Sequence, residues 1–185
     1  MPRHADAELE GRILNAAQVL WVKGGDHALT MRAVAEAAGT TTPSLYQRFR
    51  SKGDIRRALR RRAQGSMYEV LANCKSPRQV CEDYLKFALG HPNEYQLVFA
   101  RWPEHRDDPR PNLDLLKKKF SQWMGGKPAE QTALLMAVLA LLHGTASVLI
   151  GQVIPANLSK NLYRACLVAC AVLIENASTF KNQSS

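Results

Sequence analysis

Gln47 and Arg48 stand side by side in the segment TTTPSLYQRFRSK, residues 40–52, preceded by Thr41, Thr42, Pro43, Ser44 and Tyr46 and followed by Lys52. The chemistry these side chains share is hydrogen bonding to double-stranded DNA. A guanidinium such as that of Arg48 pairs with guanine edges or phosphates, and the amide of Gln47 matches adenine. The hydroxyls of Thr41, Thr42 and Ser44 serve base or phosphate. Thr30, Tyr46 and Lys52 have side chains suited to phosphate, where contacts fix register rather than read sequence, and Arg32 is counted in the same DNA-binding set.

Two short helices must position this set. Thr30 is a suitable N-cap, and Met31, Val34, Ala35 and Ala38 then mark one face of a helix. Gly39 follows where a helix ends in a left-handed residue. Thr42 is expected to cap the second helix, with Pro43 at its first position, where a missing N–H costs nothing. Leu45 and Phe49 point into a core, leaving Ser44, Gln47 and Arg48 outside. Two helices with a short turn form a helix-turn-helix, whose second helix enters the major groove.

The run ILNAAQVLWVKGG…LTMRAVAEAAGTTTPSLYQRFRSKGDI resembles the N-terminal domain of TetR-type transcriptional regulators between Arg12 and Leu59. A capped helix, an AxxAG turn, an LYxxF helix and an SK start occur in order. The resemblance implies that Thr30 and Lys52 meet phosphates. It also implies a homodimer, an inverted-repeat operator and release by a small effector. More faintly, HPNEYQLVFA and LLHGTASVL resemble the sensor domain of the TetR subgroup with a Trp-His-Gly signature. His143 and Gly144 are present, with an aliphatic residue in place of the tryptophan.

Charge agrees with a DNA-binding head. The formal net charge is +9, and residues 1–65 hold 12 basic and 6 acidic groups against 13 and 10 in the remainder. From Arg48 to Arg62 there are eight basic residues and a single acid, Asp54. The first ten residues, MPRHADAELE, lack the apolar core of a signal peptide, so a cytoplasmic protein with reduced thiols is expected. Cys74, Cys81, Cys166 and Cys170 lack the tight pairing of a zinc site, so no metal and no cofactor is expected. His143 and Ser147 share a helix face, but no oriented acid or oxyanion donor accompanies them, so catalysis is not expected.

The rest of the chain reads as helical, giving an all-α protein. A three-helix DNA-binding domain is placed at residues 1–52, and a larger helical sensor and dimerisation domain at 53–185. Ala5 to Lys23 forms the first helix, ended by Gly24 and Gly25. Ser51 opens a helix running to about Asn73, and Ser76-Pro77-Arg78-Gln79 opens the next with a capping box. His91-Pro92 starts a short helix, residues 101–112 form a loop, and a helix follows from Leu113 to Met124, with Lys117 to Lys119 as a solvated face. Two apolar helices, 129–153 and 160–178, finish the chain. Polar residues interrupt both, so neither is read as a membrane span. The expectation is one face on the subunit's own core and the other on a twin, as a four-helix bundle. A small apolar or aromatic effector is expected among Tyr84, Phe87, Tyr95, Phe99, Trp102, Phe120, Trp123, Met124 and His143. A filled core with no effector is the alternative.

Overall fold

A computed structural model describes residues 3–100 and 108–179, and Trp102 lies outside them. Among the described residues the architecture is all-α. In chain order the helices are α1 (Arg3–Ala28), α2 (Met31–Ala37), α3 (Thr42–Tyr46), α4 (Lys52–Asn73), α5 (Pro77–Gly90), α6 (Pro92–Phe99), α7 (Pro111–Met124), α8 (Thr132–Ile150) and α9 (Ala156–Glu175). The chain divides into two compact units, Met1–Ala63 with Leu97–Asp108, and Gln64–Gln96 with Pro109–Ser185. The division falls inside α4 and inside α6, whereas the sequence placed a boundary where α4 begins.

In the first unit α1 packs on α2, and α2 on α3. Ile13, Ala17, Leu29, Val34 and Leu45 are fully buried, and Ile55 and Leu59 of α4 nearly so. These are the apolar positions at helical spacing, so burial follows the pattern. Of the α1 stripe, Leu20 and Trp21 are only half-buried. α1 breaks where glycines were expected to end it. Gly24 and Gly25 leave helical geometry, and Gly25 has φ 58° and ψ −143°, a conformation open essentially to glycine alone. Asp26 to Ala28 lie beyond the break.

In the second unit α8 packs against α5, α7 and α9, and α5 against α9. Leu134, Leu135, Val138, Leu142 and Ala146 of α8 are fully buried, as is Cys170 of α9. Both terminal helices differ from expectation in their bounds. A turn with Glu130 N–H on Lys127 O and Thr132 N–H on Ala129 O precedes α8, so the helix opens at Thr132 rather than at 129. Pro155 cannot donate an N–H but accepts as N-cap, with Leu158 N–H on its carbonyl, so α9 begins at Ala156 rather than at 160. α7 likewise starts two residues early, at Pro111. Despite its polar interruptions, α8 is long and apolar enough to cross a membrane, with mean hydropathy 2.2 over its best window. The core helix of a folded domain meets the same description.

Candidate functional site

The turn before α3 sets the geometry of the candidate DNA-contacting residues. Gly39 has φ 61°, the left-handed value expected there. Thr30 caps α2, its Oγ1 accepting from Ala33 N–H at 3.2 Å. The cap of α3 differs from expectation by one residue. Thr41, not Thr42, accepts from Ser44 N–H at 3.3 Å, which makes Thr42 the first helical residue and Pro43 the second. An N-cap hydroxyl serves the third helical N–H, and only Thr41 lies three residues before Ser44. Pro43 still fits, because its position also has no intrahelical partner. The Thr41 and Ser44 hydroxyls are joined at 2.9 Å.

α3 itself is one short turn. Leu45 is buried and Phe49 follows it into the core, Phe49 N–H donating to Leu45 O at 2.9 Å. Gln47 and Arg48 lie just past the helix, in a continuing turn with Gln47 in right-handed helical geometry. Arg32, Thr41, Pro43, Tyr46, Gln47 and Arg48 are exposed, as is Thr30, while Thr42 and Ser44 are half-buried. Tyr46 leaves half of its surface to solvent.

Lys52 opens α4 but does not stand alone. Its Nζ donates to the backbone oxygen of Asp26 at 2.6 Å and to Asp26 Oδ2 at 3.0 Å. Arg56, one turn further on, forks the same carboxylate, Nε to Oδ1 at 2.7 Å and Nη2 to Oδ2 at 2.5 Å. Partial burial works to raise the Asp26 pKa, but the hydrogen bonds and charges of Arg56 and Lys52 outweigh it and hold the carboxyl below its usual range. Ser51 caps α4 by accepting from Asp54 N–H, and Asp54 reaches back to Arg50 N–H at 3.0 Å. The pair is a capping box whose return arm is offset by one residue, landing on the N–H before the cap. The same offset recurs at α5, where Ser76 accepts from Gln79 N–H and Gln79 Oε1 accepts from Lys75 N–H.

In the second unit, three of the residues expected around an effector meet in one hydrogen-bonded chain. Tyr84 and Tyr95 hydroxyls lie 3.0 Å apart, and the Tyr95 hydroxyl is 2.7 Å from His143 Nδ1. The two tyrosine rings meet edge to face at 5.8 Å. Burial, with the neighbouring Tyr95, pushes the Tyr84 phenol far above its ordinary value. Burial pushes Tyr95 up to about 12, against a lowering by its bond to Tyr84. Both phenols therefore keep their protons at physiological pH, and either hydroxyl can donate to the other.

Phe120 is fully buried beside the half-buried Trp123, ring centroids 6.1 Å apart. Lys119 lies over the Trp123 ring at 5.2 Å. Phe87 is buried in α5, Met124 is half-buried at the end of α7, and Phe99, which belongs to the first unit, is 40% exposed.

Lys119 corrects the expectation of a solvated lysine face. Its Nζ donates to Ala72 O at 2.7 Å and Cys74 O at 2.8 Å, closing the C-terminal end of α4. A cation there meets the negative end of the helix dipole. Cys74 is buried beside Asp83, and desolvation with that carboxylate raises its thiol to about 11. All four cysteines are free and buried. Among the described residues, no three His, Cys, Asp or Glu side chains gather as metal ligands.

Two family descriptions match the chain. Residues 13–59 match the bacterial regulatory proteins of the tetR family, and residues 78–166 match the tetracyclin repressor-like C-terminal domain. An uncharacterised HTH-type transcriptional regulator of Mycobacterium tuberculosis is 32% identical over 104 residues, 52% of this chain. That match spans about half of the relative's length, 47%. Among solved structures, the regulatory protein SCO4313 aligns with TM-score 0.75 at 18% identity, covering 90% of this chain and 97% of that one. A TetR-family transcriptional regulator from Streptomyces coelicolor gives 0.68 at 19% identity, covering 92% and 99%. A TetR-like regulator from Rhodococcus sp. RHA1 gives 0.60 at 19%, covering 89% and 96%. At such identities these structures establish a shared fold.

Proposed function

Since the chain belongs to the TetR family of transcriptional regulators, we propose that it acts as a cytoplasmic homodimeric repressor that binds an inverted-repeat operator and is released by a small effector. The observation that carries the DNA-reading part is the exposed cluster of Arg32, Thr41, Tyr46, Gln47 and Arg48 held over a buried Leu45 and Phe49. In this reading Gln47, Arg48, Thr42 and Ser44 contact bases, with Thr41 and Pro43 at the entry. Thr30, Arg32, Tyr46 and Lys52 fix register on phosphates. A two-fold dimer presents two such helices, so half-sites lie about one helical turn, or a simple multiple, apart.

The dimer face is assigned to α8 and α9, around 129–153 and 160–178. Apolar side chains stay open there: Met136 and Leu141 on α8, Leu158, Val168 and Val172 on α9, with Val168 63% exposed. A second subunit covering them would complete a four-helix bundle.

The effector site is assigned to the Tyr84–Tyr95–His143 chain together with Phe87, Phe120, Trp123 and Met124. Phe99 and Trp102 are carried over from the sequence alone. An apolar or aromatic molecule with one polar group suits such a lining. The repressor reading requires that this molecule bind one state of the protein better than the other. A second reading, a regulator with a filled core and no effector, draws on Tyr84, Phe87, Tyr95 and Phe120, each less than 10% exposed. Thermal shift against a panel of apolar compounds separates the two, because a molecule that binds only the folded protein raises its melting temperature.

Selection of random duplexes on the purified protein at near-physiological salt tests the central reading. Enrichment of an inverted repeat is expected. Binding without enrichment that vanishes as salt rises would leave only a basic surface and defeat it.

A further inference from the structure

Folding brings Asp26 to the basic opening of α4. Between Arg48 and Arg62 the sequence supplies eight basic residues and Asp54 alone. Asp54 is already engaged, by Arg50 N–H at 3.0 Å and Arg57 Nη1 at 3.2 Å. Asp108 meets Arg57 and Arg60 further along the helix, at 3.7 and 3.9 Å. Asp26 arrives from the end of α1, and Lys52 and Arg56 both close on its carboxylate. The Arg56 contact is a two-point fork, the arrangement by which a guanidinium holds either a carboxylate or a phosphate. The Lys52 ammonium adds a third charged contact to the same group and a fourth donation to the Asp26 backbone oxygen. Lys52 and Arg56 are one helical turn apart and so share a face. The cluster is open to solvent. Asp26 is its most exposed member at 38%, against 31% for Lys52 and 17% for Arg56.

We propose that Asp26 is an internal stand-in for a DNA phosphate, occupying Lys52 and Arg56 until a backbone phosphate takes its place. The proposal rests on the DNA-binding reading above and adds Asp26 and Arg56 to it. A cation already paired with a carboxylate must give up that contact before it can neutralise a phosphate. An ionised Asp26 also repels the incoming strand. Phosphates carry no sequence information, so the opposition falls on every duplex alike. Its effect is to lower the affinity of a strongly basic head for operator and unrelated DNA by the same factor, leaving discrimination to the base contacts.

The test compares wild type with Asp26→Asn, which keeps the side-chain shape and an acceptor for Arg56 but removes the charge. Binding to a selected operator and to an unrelated duplex is measured across a salt series. Asp26→Asn is expected to bind both about two- to fivefold tighter, the range an exposed ion pair is worth. Lys52 and Arg56 end on a phosphate in both proteins, so the slopes of log K against log salt should differ by less than about 0.9, the step one extra phosphate contact would give. Equal or weaker binding by a folded Asp26→Asn overturns the proposal and leaves Asp26 a structural ion-pair partner of Lys52 and Arg56.

A measurement on the wild type covers the case in which the variant does not fold. The Arg56 Nε–H resonance should shift when duplex is added, because its acceptor changes from carboxylate to phosphate. An unmoved resonance in the bound state overturns the exchange. A wild type that binds no duplex at any salt defeats the DNA-binding reading itself, and the proposal with it. Binding by the wild type, with no tighter binding by the variant, defeats the proposal alone.

Discussion

Arg48 is exposed at the end of a turn whose buried members, Leu45 and Phe49, fix its direction. If it pairs with guanine, Arg48→Ala should cost about 1–3 kcal/mol per half-site and relax preference at one base position. Operator variants scanned one base at a time check this, and a loss uniform across sequences would move Arg48 to the phosphates. The tyrosine pair gives an asymmetric expectation. Tyr84→Phe removes one end of the hydrogen-bonded chain and should cost about 0.5–1.5 kcal/mol. Tyr95→Phe strands the hydroxyl of Tyr84, a residue only 2% exposed, and should cost about 1–3 kcal/mol. Denaturant unfolding of both variants measures the difference, and equal costs would contradict the chain as drawn. The same burial fixes an alkaline limit. The Tyr95 phenol, ordinarily at 10.0, is raised to about 12, and the Cys74 thiol from 9.0 to about 11. The unfolded chain loses these protons first, so their contribution to stability should be constant through neutral pH and fall from about pH 9 towards 12. Urea midpoints across that range test it, and a midpoint that rises there would contradict the burial of both groups.

At the scale of elements, much was legible in the sequence because the signals were local. Ser76 and Thr30 announce their helices by residue type and position. Gly39 marks the end of α2 because only glycine takes a left-handed φ without penalty. The Thr41 cap was misplaced by one because three consecutive threonines, Thr40 to Thr42, offer the same hydroxyl, and only the spacing to Ser44 N–H separates them. Lys119 could not be read at all. Its acceptors, Ala72 O and Cys74 O, lie more than forty residues earlier and are backbone atoms with no sequence signature. Lys119→Met keeps the side-chain stem over Trp123 and removes the ammonium, so it should cost about 1–3 kcal/mol through the orphaned carbonyls. Amide exchange should then quicken over the last turn of α4. Exchange unchanged there would mean that water replaces the lysine without cost.

For the whole molecule, composition and helical period conveyed the all-α class and the concentration of charge in the head. They did not convey pairings between distant residues. Tyr95 and His143 are 48 positions apart, and Asp26 precedes Arg56 by 30. Only the packed chain brings such pairs together. The same scale governs assembly. Val168 and Val172 lie one turn apart on α9, and both are more than half exposed, so aspartate at both positions should leave the subunit folded. Sedimentation is expected to report a monomer, and affinity for a full inverted repeat should fall to that for one half-site. A dimer that persists would place the interface elsewhere.

The break in α1 reaches further than the end of a helix. Gly25 holds a conformation that side chains refuse, and through it the chain turns so that Asp26 meets Lys52 and Arg56. If that carboxylate opposes every duplex, the overall affinity for DNA depends in part on residues that touch no base and have no side chain. A mutational scan confined to the recognition turn would miss a place where the strength of binding to all DNA is set.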